Sequence, residues 1–282
     1  IRAYVAATGD RTLLQRIYPI MINIVERHRQ GTRNKIRLDP YEGLIYAVQQ
    51  VEQLTWMHAN VDHCVVTPRI GKPIEINALW FNALRVMDDF SHQLGKPAVE
   101  YRRLAEQTQT GFARFWNKHK GFCFDVLDGP AGNDARLRPN QLFAVSLPFS
   151  PLGKKEQKAI VDVCARYLLT SFGLRTLADD EPAYVGKYGG DQKKRDGAYH
   201  QGTVWGWLIG PFIDAYLRVF GDHETARNHL RPLLYQVVDH GLGSISEIFD
   251  GDPPFTPRGC PAQAWSVAEV LRAWVATGKS GG

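Results

Sequence analysis

Apolar residues recur at helical spacing over most of this chain. After Asp10, which can cap a helix, Leu13, Leu14, Ile17, Ile20, Met21, Ile24 and Val25 share one face and predict a helix, with Pro19 as a kink point. From Asn77 onward, Leu79, Trp80, Ala83, Leu84, Met87 and Phe90 predict a second, and residues 104–116 a less regular third. Ser150-Pro151 sets a capping residue before Pro at the first helical position, predicting a helix through Ile160, Val163, Cys164, Tyr167 and Leu168. Residues 204–220 are apolar nearly all round (Trp205, Trp207, Leu208, Ile209, Phe212, Ile213), which predicts a buried inner helix. Residues 227–240, interrupted by Pro232, and 262–276, opened by Pro261, complete the set. Strand-like patterns are confined to 123–127 and 64–67. The expected class is all-α, with about eight helices in a single domain over residues 1–282.

Residues 1–9 read as the tail of a helix: they have apolar spacing and a Gly9 stop but no capping residue. The chain is therefore expected to be a piece of a longer protein. Apolar helix faces would then be exposed, and the piece alone would be poorly soluble or inactive.

Composition narrows the partners. Of the 282 residues, 44% are hydrophobic and 22% charged, ordinary values for a globular protein, and no apolar run is long enough to span a bilayer. The N-terminus has no signal-peptide pattern, so no membrane association is expected. The net charge is +5, but the basic residues are dispersed apart from Lys193-Lys194-Arg195 and Lys154-Lys155. Such short groups suit a solvated face, and no nucleic-acid partner is expected. Cys64, Cys123, Cys164 and Cys260 are widely spaced with no CxxC pair. That argues against a disulfide framework or a zinc site and favours a reducing compartment.

Four connections, residues 55–76, 121–140, 178–200 and 241–260, are longer than a helix bundle needs and rich in Gly, Pro, Asp, Trp and His. A scaffold that gathers such loops at one end would form a pocket. The last loop carries Glu247, Asp250 and Asp252 on a Gly/Pro-rich backbone, an arrangement that suits acid–base chemistry on a neutral substrate or the bracing of turns. Trp56 and His58 stand at the junction entering residues 55–76, and Arg69, Glu75 and Asn77 lie at or just before the predicted helix N-terminus. His200, Gln201 and Trp205 precede the apolar segment. Flat rings beside bidentate polar groups fit a sugar, whose C–H face packs on an aromatic while its hydroxyls need paired donors and acceptors. The same residues also admit structural roles: Trp205 and Trp207 as core, Glu75 as a partner of the helix dipole, His200 and Gln201 as groups satisfied by backbone.

The blocks TPRIGKPIEINALW (67–80), AYHQGTVW (198–205) and GSISEIFDGDPPFTPRGCPAQAWSVAEV (243–270) resemble the C-terminal catalytic domain of glycogen debranching enzymes, the amylo-alpha-1,6-glucosidase family. The resemblance runs from Arg11 to Trp274. It implies an (α/α)6 toroid, incomplete on its N-terminal side, and inverting hydrolysis of the α-1,6-linked glucose left at a trimmed branch point. Glycogen, a limit dextrin or a branched malto-oligosaccharide would be the substrate, the cytoplasm the location, and an N-terminal domain of the parent protein a neighbour. No cofactor is implied.

Inverting hydrolysis needs an acid on the leaving oxygen and a base on water, with the groups roughly 6.5–9.5 Å apart. By similarity Glu247 stands where the family's base stands. The family's acid is the Asp of a Thr-Trp-Met-Asp motif, and this chain reads Thr55-Trp56-Met57-His58. A protonated imidazole can donate a proton near neutrality, and Asp62 is the alternative donor if its loop bends inward. The resemblance favours substrate-facing roles for Trp56, Arg69, Glu75, Asn77, His200, Gln201 and Trp205, and leaves Trp207 in the core. Arg258 is expected to orient the Glu247 loop, with Asp250 and Asp252 bracing it. His58 and His63 offer two imidazoles but no third ligand, so no metal is expected. The departure at His58 leaves a second possibility, a non-catalytic glucan-binding relative. A helical solenoid would show a repeat of roughly 34–47 residues, and none is visible. Another sugar hydrolase on the same toroid, invertase-like or trehalase-like, is a further alternative.

Overall fold

A computed structural model of the chain describes residues 1–32, 35–47, 55–62 and 64–278; the junction entering Thr55 and His63 lie outside the described residues. Ten α-helices occur among the described residues. They are α1 (Arg2–Thr8), α2 (Arg11–Gln30), α3 (Ile74–Gln93), α4 (Val99–Phe112), α5 (Phe143–Ser146), α6 (Lys154–Tyr167), α7 (Gln192–Ala198), α8 (Ile209–Phe220), α9 (His223–Asp239) and α10 (Ala264–Thr277).

Local chemistry accounts for several of their ends. The Asp10 side chain accepts the Leu13 N–H at 2.9 Å, and Gly9 closes α1 in the left-handed conformation at φ 67°. The Asp222 carboxylate accepts the Thr225 N–H at 3.0 Å to open α9. α3 begins three residues before Asn77, because Pro73 in extended conformation precedes it and Glu75 occupies its first turn, where a carboxylate meets the positive end of the helix dipole.

Other expected helices also differ in their bounds: the one read over 104–116 runs from Val99 to Phe112, and the one read over 227–240 from His223 to Asp239. The helix read from Ser150-Pro151 opens at Lys154, with Gly153 as its cap residue. Ser150 is used in a turn instead: its hydroxyl donates to the Ala144 carbonyl at 2.6 Å and accepts the Leu152 N–H at 3.2 Å. The segment 204–220 is not helical throughout. Val204–Trp205 is a strand, Gly206–Leu208 a 3-10 turn, and only then does α8 run.

That strand lies at the centre of a five-stranded antiparallel sheet in the order Leu169–Thr170, Gly173–Arg175, Val204–Trp205, Ile248–Phe249, Pro257–Arg258. Trp205 is opposite Leu174 on one side and Ile248 on the other, and Ile248 is opposite Arg258. The helical class thus carries a small sheet that pattern reading missed, because strands of two or three residues are too short for alternation to register. The 123–127 run resolves into strands Phe122–Cys123 and Val126–Gly129, and the 64–67 run into Cys64–Val65.

Successive packing neighbours run α4, α3, α5, α8, α10, α9. The main core gathers Phe112, Phe115, Leu142, Ile160, Leu208, Phe212, Leu230 and Phe249, all fully buried. A second cluster joins Leu14, Tyr18 and Val25 of α2 to Phe81, Leu84 and Phe90 of α3. Ile20 and Ile24, expected on the buried face of α2, are 59% and 54% exposed, as are Leu271 and Val275 of α10 at 60% and 61%. Among the described residues no helix is long and apolar enough to cross a membrane.

Candidate active site

Residues from four stretches, 55–58, 125–141, 198–207 and 247–260, come together around one aromatic cluster. Trp56 is its hinge: the indole meets His200, Trp205 and Trp207 edge-on with centroids at 5.2, 5.5 and 5.1 Å. His200 lies flat on Trp205 at 5.2 Å and 15°. Tyr199 packs beside both, 4.8 Å from His200 and 4.9 Å from Trp205. The Trp205 N–H donates to the Tyr199 carbonyl at 3.0 Å.

Glu247 reaches this cluster through the sheet. It directly precedes strand Ile248–Phe249, its carbonyl accepts the Gly206 N–H at 3.4 Å, and its own N–H donates to the Cys260 carbonyl at 2.9 Å. One carboxylate oxygen accepts the Cys260 N–H at 3.0 Å, and the other accepts the Tyr199 hydroxyl in a short contact. Gly259 makes the first of these possible. Its φ is +66°, and a Cβ there would run into the Glu247 carboxylate. The loop is braced as expected: Arg258 grips Asp250 at 3.0 Å, Asp250 also accepts the Tyr188 N–H at 2.9 Å, and Tyr184 donates to Asp252 at 2.8 Å.

His58 also adjoins Tyr199, the residue that contacts Glu247. Its ring centroid is 6.4 Å from that of Tyr199 and 5.6 Å from that of His200, and its Nδ1 pairs with the Trp56 carbonyl at 2.8 Å. The ring is exposed, which leaves it accessible to a substrate. Asp62 stands apart: it is exposed, at φ 49°, and holds Lys193 of α7 at 2.7 Å. His63 lies outside the described residues.

Beneath the cluster is a buried polar layer. Arg69 bridges Glu75 and Asp125 in short ion pairs, and all three side chains are almost fully buried. Asp125 accepts from the Asn140 amide at 2.8 Å, and Asn140 in turn accepts the Trp56 indole N–H at 2.8 Å. Arg138 donates to the Gln201 side chain at 2.9 Å and to the His200 and Thr176 carbonyls at 2.8 and 3.0 Å. Gln201 then donates to the Thr67 hydroxyl at 3.0 Å. Burial pushes the Glu75 carboxyl above its ordinary range, against the pull of Arg69. Burial, followed by the neighbouring cations, holds His200 well below its ordinary value, so the ring is neutral.

The expected site residues therefore divide. Glu247, His58, Trp56, His200 and Trp205 gather at one place. Arg69 and Gln201 are engaged within the layer below, and Asn77 has both amide N–H groups on the carbonyls of Ile45 and Pro73, at 3.0 and 2.9 Å. Glu75 is buried, but one of its oxygens and both His200 nitrogens have no partner among the described residues. Four residues escaped sequence reasoning: Tyr199, Asp125, Arg138 and Asn140. Asp125 did leave a signal, a carboxylate inside the apolar run Phe122-Cys123-Phe124-Asp125-Val126-Leu127. Among the described residues no three His, Cys, Asp or Glu side chains converge as a metal site.

A family model described as amylo-alpha-1,6-glucosidase matches residues 1–272. The glycogen debranching enzyme of Saccharomyces cerevisiae is 25% identical over 305 residues, covering 86% of this chain, which spans 20% of that enzyme's length. Among solved structures, the GH63 mannosylglycerate hydrolase from Thermus thermophilus in complex with glucose superposes with a TM-score of 0.71 at 14% identity, over 97% of this chain and 72% of that one. An uncharacterized conserved protein from the same organism gives 0.69 at 15% identity, over 97% of this chain and 74% of that one. At such identities the likeness shows a shared fold.

Proposed function

Because the chain belongs to the amylo-alpha-1,6-glucosidase family, we propose that its site removes an α-1,6-linked glucose from a trimmed branch point of glycogen, a limit dextrin or a branched malto-oligosaccharide. The observation that carries the proposal is that Glu247, its carboxylate held by Tyr199 and the Cys260 N–H, and the exposed His58 both adjoin the same ring, Tyr199. A carboxylate fixed in this way can take a proton from a water as that water attacks the anomeric carbon. The bond to the leaving oxygen breaks as an acid on the opposite side protonates it, giving inversion. His58 in its imidazolium form is the nearer candidate for the acid, and Asp62 would first have to leave Lys193. Of the cluster, half-buried Trp56 and Tyr199 and exposed His58 are the rings a sugar can reach, and their flat faces suit its C–H face, while buried His200 and Trp205 back them from below. We read the run of packed helices as part of an (α/α)6 toroid and the compartment as the cytoplasm, and all four cysteines are free.

Glucose release from a phosphorylase-type limit dextrin, compared with the Glu247→Gln variant, tests the proposal. Release that vanishes in the variant supports it, and release that persists removes Glu247 from the mechanism. One observation favours a second reading, a glucan-binding relative without turnover: an imidazole stands where the family carries its acid. His58→Asp separates the two. A gain in kcat of about a hundredfold or more fits a site lacking only its carboxylic acid, whereas dextrin binding with no turnover in either protein fits the binding relative.

A further inference from the structure

Met57 lies between two residues of the proposed site, half-buried Trp56 and exposed His58, yet is itself only 1% exposed. Its thioether is surrounded by N–H donors. The Asn140 amide is 3.6 Å from Sδ, an Arg69 guanidinium N–H group 3.9 Å and an Arg138 guanidinium N–H group 4.0 Å. These donors come from two separate stretches of chain and form the buried layer that holds Trp56, His200 and Gln201. By contrast, the His58 ring has one hydrogen-bonded tether among the described residues, to the Trp56 carbonyl at 2.8 Å.

We propose that Met57 is a positioning residue for His58, gripped through its sulfur by the buried polar layer so that the exposed imidazole is held at a fixed place beside Tyr199. Its catalytic consequence rests on the glycosidase function proposed above. The physical basis is the sulfur's character. A thioether is a soft, weak acceptor on an unbranched chain, able to face several donors at long range without carrying a charge. The Asn140 amide and an Arg69 N–H directed at one atom are better served by this polarizable acceptor than by a methyl group, with the Arg138 nitrogen, whose hydrogens serve the Thr176 and His200 carbonyls, packed alongside.

Two substitutions separate an anchor from a space-filler. Leucine keeps the volume, a swap that packing tolerates well, but offers no acceptor. Glutamine keeps the unbranched length and presents a carbonyl oxygen near the place of the sulfur. If Met57 only fills space, Met57→Leu will be the milder change, because glutamine puts a polar group into the interior. If it anchors, Met57→Gln will be the milder.

The experiment uses the whole 282-residue chain. The His58 ring signal, assigned by its loss in His58→Ala, is followed by proton–carbon NMR without substrate, together with thermal unfolding and glucose release. Met57→Leu should move the His58 signal toward that of a free histidine and lower kcat about tenfold with little change in KM, and Met57→Gln should restore both. A His58 signal displaced as far by glutamine as by leucine overturns the proposal. Should the leucine variant fail to fold, the glutamine variant decides: a native signal and melting temperature support the anchor, and their loss refutes it. If the parent chain releases no glucose, the NMR comparison alone decides the role of Met57.

Discussion

Tyr199→Phe removes a single oxygen atom, the one that contacts Glu247. The ring would keep its neighbours, with His200 at 4.8 Å, Trp205 at 4.9 Å and Tyr188 at 5.8 Å, so the fold should lose no more than that one hydrogen bond, about 2 kcal/mol. Burial, then the Glu247 carboxylate, pushes the phenol well above its ordinary range, so the group is a hydroxyl donor at any working pH. A hydrogen bond to a charged group contributes about 1.5–3 kcal/mol net. Tyr199 is half-buried, and Glu247 would keep its second donor, the Cys260 N–H. The lower end applies, about 1.5–2 kcal/mol, which corresponds to a fall in kcat of about 10–30-fold. KM should hardly change, because the lost contact orients the base rather than the sugar. Initial rates of glucose release from limit dextrin, with thermal unfolding alongside, measure both quantities. In a Glu247→Gln background the same change should have almost no further effect on turnover, since two residues acting as a unit are not additive. A kcat within about twofold of the parent would refute the argument, as would an undiminished effect in the Glu247→Gln background.

Asp125→Ala should leave Arg69 and Arg138 buried without their shared carboxylate and destabilise the fold by about 3–5 kcal/mol, read from the urea midpoint. An effect below about 1 kcal/mol would show that the network is not buried as described. The neutral His200 predicts a pH effect on stability. The unfolded chain takes up a proton as pH falls below about 6.5 and the folded site does not, so this contribution is complete above 6.5 and lost below it. The slope is about 1.4 kcal/mol per pH unit, and urea unfolding of His200→Gln should show a correspondingly flatter dependence between about pH 6.5 and 5.

What the chain's pattern determined by itself is the helical scaffold and the positions of the candidate groups along the sequence. Helical spacing marks α2, α3, α8, α9 and α10 because each buries one face against a neighbour, and burial of a face writes a period into the sequence. Glu247 and His58 were legible for another reason. A carboxylate on a Gly/Pro loop and an imidazole in an aromatic motif stand out against their local sequence, and the resemblance gave them roles.

Tertiary structure decided the rest. The five-stranded sheet leaves no periodic trace, yet it brings Glu247 next to Trp205 across more than forty positions of chain, because backbone pairing depends on which segments meet and not on their side-chain pattern. Tyr199 could have been core or surface until folding set its hydroxyl against the Glu247 carboxylate. Asn77 and Gln201, polar residues that invite a ligand in one dimension, are largely taken up by hydrogen bonds within the fold. A buried polar group must find a partner, and whether that partner is substrate or scaffold is settled only when distant segments pack together.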